Sequence, residues 1–359
     1  MRRRELLAAV TGFAACSTGL DAPDTEREYP PFLRGFEATH AKDPRAAGLA
    51  WFRSAERGLF LEYGVYSQLG RGPSVQFDDR IPVARYGELG ATFDPVGFDA
   101  RRLADLAVEC GARYIGLTAR HADGFCLFRT IETDFNSLEC SGRDLVGELA
   151  EACRQSELGL LLSYSYAADW RHPYFFPPET SSTDWRGARP AFAAPQPEYR
   201  FGKDEDFLHY VRYAHHQLQE IAYRYPSLAG IRLGPLAGYR ARPDLFPVGQ
   251  TYSVIRDACP EALVSFGLGA NGDEDFTESD WAPLIPGRET DQSAAAGKPV
   301  ELSLRIRGPE RRRRPPGRLR EALDSASDRG ANLLLVAELD PEGSMDLQDE
   351  ETLAELGSF

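Results

Sequence analysis

Apolar residues along this chain fall into two alternating patterns, short continuous runs and longer segments with helical spacing. The short runs predict buried strands, because a strand that is covered on both faces has few polar positions. The longer segments predict helices that pack against those strands. Strands are predicted at residues 59–63, 114–117, 158–164, 228–233, 262–268, 300–306 and 331–337, and helices at 51–58, 99–110, 144–156, 204–225, 252–259, 318–329 and 347–356.

This alternation of strands and helices predicts a parallel sheet with helices on its outside. The 359 residues are more than one small core needs, but they fit a single α/β barrel. The predicted fold class is therefore α/β, a (β/α)8-type TIM barrel that is either regular or irregular. It is predicted to occupy residues 47–359 as one domain.

Polar residues collect where the strand through Tyr114 and Leu117 ends. Arg120, His121 and Asp123 follow this strand, and the carboxyl ends of barrel strands are where catalytic residues lie. These side chains are therefore candidate site residues. The alternative is that His121 and Asp123 only hold a turn.

Glu62 has the same position at the end of the first predicted strand. It is a candidate site carboxylate or, equally well, the ion-pair partner of an arginine. Two long polar and aromatic segments, 71–93 and 170–203, are predicted to be loops that cover a pocket at this face. Asp169 and Trp170 lie where the second loop begins.

Composition narrows the range of ligands. The hydrophobic content of 42% and the charged content of 27% are ordinary for a globular protein with a sizeable core. A formal net charge of −14 disfavours nucleic acid and anionic membranes, so a neutral ligand fits better. The basic run 311–314 precedes two prolines and is interpreted as a solvated loop.

Cysteine and histidine spacing predicts neither a metal site nor a cofactor. The cysteines show no paired short spacing. His215 and His216 are adjacent, so they point to different sides of their predicted helix and do not form a two-histidine metal site.

The N-terminus differs from the rest of the chain. Arginines at positions 2–4 precede an apolar run at 6–15 that is too short to span a bilayer, which predicts a twin-arginine-like export signal over residues 1–16. Cys16 ends a lipoprotein-like box and is predicted either to carry a lipid or to mark an ordinary cleavage site. Residues 17–46 are predicted to be a linker or irregular arm. The protein is expected to be periplasmic, lipid-anchored at the cell envelope or extracellular, with membrane contact only through Cys16.

Four ordered segments carry a family resemblance. Residues 58–67 resemble Gly-Ile-Phe-x-His-Trp-Gly-x-Tyr-Ser, and residues 118–125 resemble Thr-Ala-Lys-His-His-Asp-Gly-Phe. Residues 143–146 match Arg-Asp-Leu-Val, and residues 330–343 resemble Gly-Gly-Asn-Leu-Leu-Leu followed by Asp-Pro-Asp-Gly. The chain therefore resembles the family 29 glycoside hydrolases, the retaining α-L-fucosidases, over roughly residues 51–359. In that family a β-sandwich usually follows the barrel, and none is expected here because the sequence ends where the barrel would end.

The resemblance implies a fucose pocket in which several positions have changed. His121 keeps a family histidine, and Tyr164 matches a pocket tyrosine. Glu62 stands at a family histidine, Phe77 at a tryptophan and Ala122 at a second histidine. The predicted substrate-binding residues are His121, Tyr164, Phe77, Asp123, Trp170 and Arg232.

The fourth strand departs most from the family pattern. The family reads Trp-Phe-Asp-Gly with the aspartate as nucleophile, whereas this chain places Arg232 at the tryptophan and Gly234 at the nucleophile. Retaining hydrolysis needs two carboxyl groups about 5 to 5.5 Å apart. The resemblance therefore implies that the ordinary fucosidase mechanism is lost. Arg232 is expected to pair with Glu62 and to occupy the space of the sugar.

Three hypotheses about function remain open. In the first, a degenerate barrel keeps a carbohydrate-binding or interaction role, with a fucosylated or related glycan as its partner. In the second, an active glycosidase uses a relocated carboxylate pair, Glu62 with Glu278 or Glu301, to which Asp123 or Asp169 contributes. In the third, the protein is a conventional α-L-fucosidase and the fourth strand is misaligned.

Overall fold

The computed structural model describes residues 29–177, 189–190, 192–225, 227–280, 297–308 and 311–357. Within them, eight parallel strands form one sheet in the spatial order β5-β4-β3-β2-β1-β8-β7-β6, which closes into a nearly complete barrel. This confirms the predicted α/β TIM-barrel fold. The strands are β1 Arg57–Glu62, β2 Tyr114–Arg120, β3 Gly159–Ser165, β4 Leu228–Gly234, β5 Leu263–Ser265, β6 Thr277–Asp280, β7 Val300–Arg305 and β8 Asn332–Glu338.

The helices that connect these strands begin close to the predicted positions. Two of them start at an aspartate whose side chain accepts a hydrogen bond from a first-turn amide, Asp99 from Arg102 and Asp144 from Gly147. The helices are α1 Glu37–His40, α2 Pro44–Ala55, α3 Val75–Asp78, α4 Val83–Gly87, α5 Ala100–Glu109, α6 Ser137–Ser141, α7 Leu145–Gln155, α8 Phe207–Arg224, α9 Leu236–Ala241, α10 Val248–Ala258, α11 Pro316–Asp328 and α12 Leu347–Gly357.

Successive strand residues alternate between the two faces of the barrel. Leu59 and Leu61 of β1 pack in the larger apolar cluster with the helices, whereas Phe60 belongs to a second cluster that fills the barrel interior. Phe32 and Trp51 from the N-terminal segment join this inner cluster, with their ring centroids 4.6 Å apart. The described part of the segment predicted as an arm is therefore part of the fold, because its apolar side chains fill the barrel.

Three strands differ from the prediction by three residues or more. β2 ends at Arg120, three residues later than predicted. The sequence did not predict β6, because its four residues include no apolar side chain. β5 ends at Ser265, three residues earlier than predicted. The chain turns there, since Gly267 has a φ of 55° and the amide of Gly269 donates to the carbonyl of Phe266.

The described cysteines, Cys110, Cys126, Cys140, Cys153 and Cys259, are free thiols. Burial raises the pKa of Cys126, which lies beside the end of β2, to about 12. A thiol with so high a pKa is a poor nucleophile. Among the described residues, none of the helices is long and apolar enough to cross a membrane.

Candidate functional site

A cavity of about 770 Å³ opens at the carboxyl ends of the strands. Every strand except β5 contributes residues to its wall. Its volume lies within the range of about 300 to 1,000 Å³ that is usual for small-molecule sites. The position agrees with the expectation that the polar strand ends converge on one site.

Arg232 lies in the floor of this cavity and binds two carboxylates. Its Nε and Nη2 atoms are 2.8 and 2.6 Å from Oε2 of Glu278, and its Nε is 3.3 Å from Oε2 of Glu301. The hydroxyl of Ser265 donates to Glu278, and that of Tyr114 donates to Oε1 of Glu301 at 2.8 Å. The floor is thus an ion-paired network, which we call the Arg232 triad for Arg232, Glu278 and Glu301.

Burial and charge oppose each other within the Arg232 triad. Burial alone lowers the pKa of Arg232, but Glu278 and Glu301 outweigh it and hold the pKa above its ordinary value. Burial raises the pKa of Glu301, and Arg232 offsets part of this rise. Glu301 is 1% exposed and does not line the cavity, so it is placed beneath the site that it was predicted to serve.

Glu62 lines the cavity and is paired with Arg305 of β7. The Nη1 and Nη2 atoms of Arg305 contact the two carboxylate oxygens of Glu62 at 2.5 and 2.7 Å, a bidentate arrangement. Arg305 also lies 3.3 Å from Oε1 of Glu338. The prediction that Arg232 pairs with Glu62 is wrong, because Arg232 is occupied by the carboxylates of β6 and β7.

Gly234 is the last residue of β4 and faces the cavity. A Cβ atom added to this glycine would meet no atom within 4 Å. Gly234 therefore has open space in front of it and no functional group.

His121 lies at the cavity wall between two aromatic rings. Its ring centroid is 5.2 Å from that of Tyr66 and 5.5 Å from that of Trp170, both in edge-to-face geometry. Trp170 lines the cavity, and the ring of Phe77 packs 5.5 Å from it without lining the cavity itself. Of the predicted aromatic contacts, Trp170 is thus placed at the site and Phe77 behind it.

Asp123 is fully buried and does not line the cavity. It accepts hydrogen bonds at 2.8 Å from the hydroxyl of Tyr86 and from the backbone amide of Phe125. Its carboxylate is 3.6 Å from Nδ1 of His121, beyond hydrogen-bond distance. Asp123 therefore holds the turn that presents His121, which was the alternative interpretation of this residue.

The hydroxyl of Tyr164 donates to Oε1 of Gln217 on α8 at 2.8 Å. Its ring packs 5.1 Å from the guanidinium carbon of Arg120. Arg120 is itself paired with Asp169, which also accepts from the amides of Arg171 and His172. Tyr164 lines the cavity, so a sugar contact of this residue stays a prediction. Asp169 is only 1% exposed.

Asp280 is a cavity carboxylate that the sequence did not single out. It ends β6, is exposed, and accepts a hydrogen bond at 3.1 Å from the hydroxyl of Ser303 on β7. No arginine or lysine of the described ranges forms an ion pair with it. The signal that was available is the spacing of Glu278 and Asp280, which places both on one face of a strand.

Comparison with known proteins gives one consistent relationship. The sequence profile of the family described as Alpha-L-fucosidase matches residues 33–231, and the match ends one position before Arg232. The plasma alpha-L-fucosidase of Homo sapiens is 34% identical over 152 residues, 37% of this chain and 32% of that protein. The tissue alpha-L-fucosidase of Macaca fascicularis is 31% identical over 174 residues, 44% of this chain and 37% of that protein. The aligned part thus spans about a third of the length of these relatives.

Solved structures extend the similarity to most of the chain. The unliganded alpha-L-fucosidase AlfC from Lactobacillus casei aligns with a TM-score of 0.71 and 26% identity, covering 87% of this chain and 97% of that one. A variant of AlfC in complex with Fuca(1,6)GlcNAc aligns with a TM-score of 0.71 and 27% identity, covering 86% and 97%. The likeness therefore extends beyond residue 231.

Proposed function

Because this chain belongs to the α-L-fucosidase family, we propose that it binds a carbohydrate in the barrel cavity and does not hydrolyse fucosides by the retaining mechanism of that family. The observation that carries the proposal is Gly234, which stands at the end of β4 where the family motif has its nucleophile. Glycine has no group that can attack the sugar. Loss of a nucleophile typically lowers the rate by several orders of magnitude.

The remaining cavity carboxylates support the same proposal. Retaining hydrolysis needs one carboxylate that attacks and one carboxyl group that donates a proton. Glu62 is bound through both oxygens by Arg305, and Glu278 is bound by Arg232. Both glutamates are therefore engaged by arginines and are not free to act on a sugar while these pairs persist.

The cavity keeps the features that a sugar site needs. Its volume of about 770 Å³ accommodates a saccharide. Aromatic rings of Phe60, Tyr66 and Trp170 line it beside serine hydroxyls at 163 and 165. Apolar ring faces and a few polar groups that point to one space are what orients such ligands. Fucosylated or related glycans are accordingly the first class of ligand to examine.

The test of binding is a glycan array followed by calorimetry with the full chain. Gly234→Trp should occupy part of the cavity, since nothing lies within 4 Å of the new Cβ atom, and should weaken binding about tenfold or more. Gly317→Trp is the matched control, because Gly317 is exposed at the start of α11 with equally open space. Both variants should unfold thermally as the wild type does. Absence of any glycan binding, or binding that Gly234→Trp leaves intact, would overturn the proposal.

A second candidate function is hydrolysis by a relocated pair of carboxylates. It is favoured by one observation, that Glu62, Glu278 and Asp280 all line the same cavity. Under this alternative, Glu62→Gln should abolish the turnover of whichever glycoside the wild type cleaves. Turnover that is unchanged in Glu62→Gln would eliminate the pair that contains this residue.

Export of the protein is a further part of the proposal, based on the N-terminal sequence alone. Residues 1–28 lie outside the described residues. Cell fractionation of the wild type and of Cys16→Ala should find the first in the envelope or outside the cell, and the second released from the membrane if Cys16 carries a lipid. Recovery of both proteins in the cytoplasm would contradict export.

A further inference from the structure

A basic hairpin folds over one side of the cavity mouth. It follows β7 and comprises residues 306–308 and 311–314 of the described chain, with Arg307 and Arg313 paired as antiparallel neighbours. The amide of Arg314 donates to the carbonyl of Ile306, and that of Gly308 donates to the carbonyl of Arg312, each bond closing the hairpin. The run that was interpreted as a solvated loop therefore has a fixed place beside the site.

Most arginines of the hairpin and of the cavity form salt bridges with carboxylates. Arg307 and Arg313 each contact Asp346 and Asp349, and Arg311 pairs with Glu338. Deeper in the cavity, Arg120, Arg232 and Arg305 each bind at least one carboxylate. A ligand could bind these guanidinium groups only by displacing a carboxylate of the protein from its ion pair.

Arg314 is the exception among the arginines that line the cavity. Its Nε donates to the backbone carbonyl of Arg305 at 2.9 Å, and its guanidinium lies against Gly308. No carboxylate of the described residues pairs with it. The backbone contact orients the guanidinium at the cavity wall and leaves its two Nη atoms as donors for a ligand.

The same cavity is lined by Asp280, a carboxylate that pairs with no arginine or lysine of the described residues and accepts from the hydroxyl of Ser303. A free carboxylate accepts hydrogen bonds from hydroxyl groups, and a free guanidinium binds a carboxylate, sulfate or phosphate group through paired donors. One ligand class satisfies both groups, a sugar that has hydroxyls and an acidic substituent.

We propose that the cavity selects acidic saccharides, with Arg314 binding a uronate carboxylate or a sulfate ester and Asp280 accepting from sugar hydroxyls. The inference rests on the proposed carbohydrate-binding function and names the ligand class for it. The net charge of −14 favours a neutral ligand, but this charge describes the whole molecule. Inside the cavity, the positive charge of Arg314 lies closer to a ligand than most of the acidic residues at the surface.

The test uses matched pairs of glycans that differ in a single acidic group. Glucuronides are compared with glucosides, and 6-sulfated N-acetylglucosamine glycans with their unsulfated forms, on an array and then by calorimetry with the full chain at low salt. The acidic member of at least one pair should bind about tenfold more tightly, the usual effect of one charge-assisted contact. Arg314→Gln should reduce this preference to within about twofold, and higher salt should weaken it.

Arg318→Gln is the matched control, since Arg318 is an exposed arginine on α11 that pairs with Glu321 away from the cavity. It should leave the preference for acidic glycans unchanged. Equal binding of both members of every pair, or equal behaviour of Arg314→Gln and Arg318→Gln, would overturn the inference and leave carbohydrate binding standing. Absence of binding by all glycans would overturn both proposals.

Discussion

At the scale of single residues, Arg232 determines the character of the site. Its guanidinium lies between Glu278 and Glu301, and its carbon is 5.4 Å from the centroid of the Phe60 ring. A buried side chain that stays charged loses the free energy of its hydration. A partner of opposite charge offsets this loss. The three members of the Arg232 triad therefore depend on one another.

Arg232→Met tests this dependence. It should lower the free energy of unfolding by about 3 to 5 kcal/mol, because Glu278 and Glu301 lose their common cation inside the barrel. Urea unfolding at neutral pH measures the change. Arg318→Met removes an exposed arginine of the same size and should change the stability by less than about 0.5 kcal/mol.

A second substitution separates charge from packing. If lost charge pairing causes the effect, Glu301→Gln in the Arg232→Met background should restore part of the stability, since a neutral amide needs no cation. An Arg232→Met variant that is as stable as Arg318→Met would show that the Arg232 triad does not hold the floor of the cavity.

At the scale of elements, α8 places two adjacent histidines in different environments. His215 is largely buried against α10, with its Nε2 atom 2.9 Å from Oγ1 of Thr251. His216 faces outward and contacts Oε1 of Glu132 at 3.0 Å. The prediction that these histidines point to different sides of the helix is confirmed.

The pH dependence of stability should report this difference. Burial lowers the pKa of His215 to about 4, so between that value and its unfolded pKa the native state binds fewer protons than the unfolded chain. The stability from the neutral ring is complete above about pH 6.5 and is lost as the pH falls towards 4. Relative to His215→Gln, the wild type should lose about 2 kcal/mol between pH 7 and pH 5, measured by urea unfolding.

His216→Gln is the control from the same helix. The hydrogen bond with Glu132 raises the pKa of His216, so its contribution is present below about pH 6.5 and is lost as the pH rises. The two substitutions should therefore change the pH profile in opposite directions. The same direction for both would contradict the burial of His215.

At the scale of the whole molecule, the N-terminal segment completes the barrel. Phe32 and Leu33 are at most 1% exposed and belong to the cluster inside the barrel. A chain that begins at residue 29 should keep the full stability of the described fold. A chain that begins at residue 43 should lose about 3 to 6 kcal/mol, because each of the two side chains contributes about 1.5 to 3 kcal/mol by burial. Equal denaturation midpoints for the two truncations would contradict this role.

The sequence predicts the barrel because local signals agree with the fold. Asp99 and Asp144 begin helices where a side-chain oxygen satisfies a free amide, and apolar runs mark the buried strands. The four residues of β6 lack that signal, since Thr277–Asp280 is polar throughout and pairs only because β7 lies beside it. The local sequence pattern thus predicts most strands. It does not predict β6, which forms through pairing with the neighbouring strand β7.

The partners of the site residues were less predictable, because they depend on which face each residue occupies. Arg305 reaches Glu62 across β8, an arrangement that requires the order of β7, β8 and β1 in the sheet. Tyr164 lines the cavity, but its hydroxyl also donates to Gln217 of α8, a partner that only the packing of α8 against β3 supplies. Motif comparison drew attention to Gly234, which lines the cavity, but it carried no information on the ion pairs around it.

The most direct test of the central claim is the release of 4-nitrophenol from 4-nitrophenyl α-L-fucopyranoside at high concentrations of the full chain. Gly234 supplies no nucleophile, and arginines hold Glu62 and Glu278. Release by the wild type should therefore equal that of Gly234→Trp and of buffer alone. Saturable release that disappears in Glu62→Gln or Glu278→Gln would contradict the claim that retaining hydrolysis has been lost.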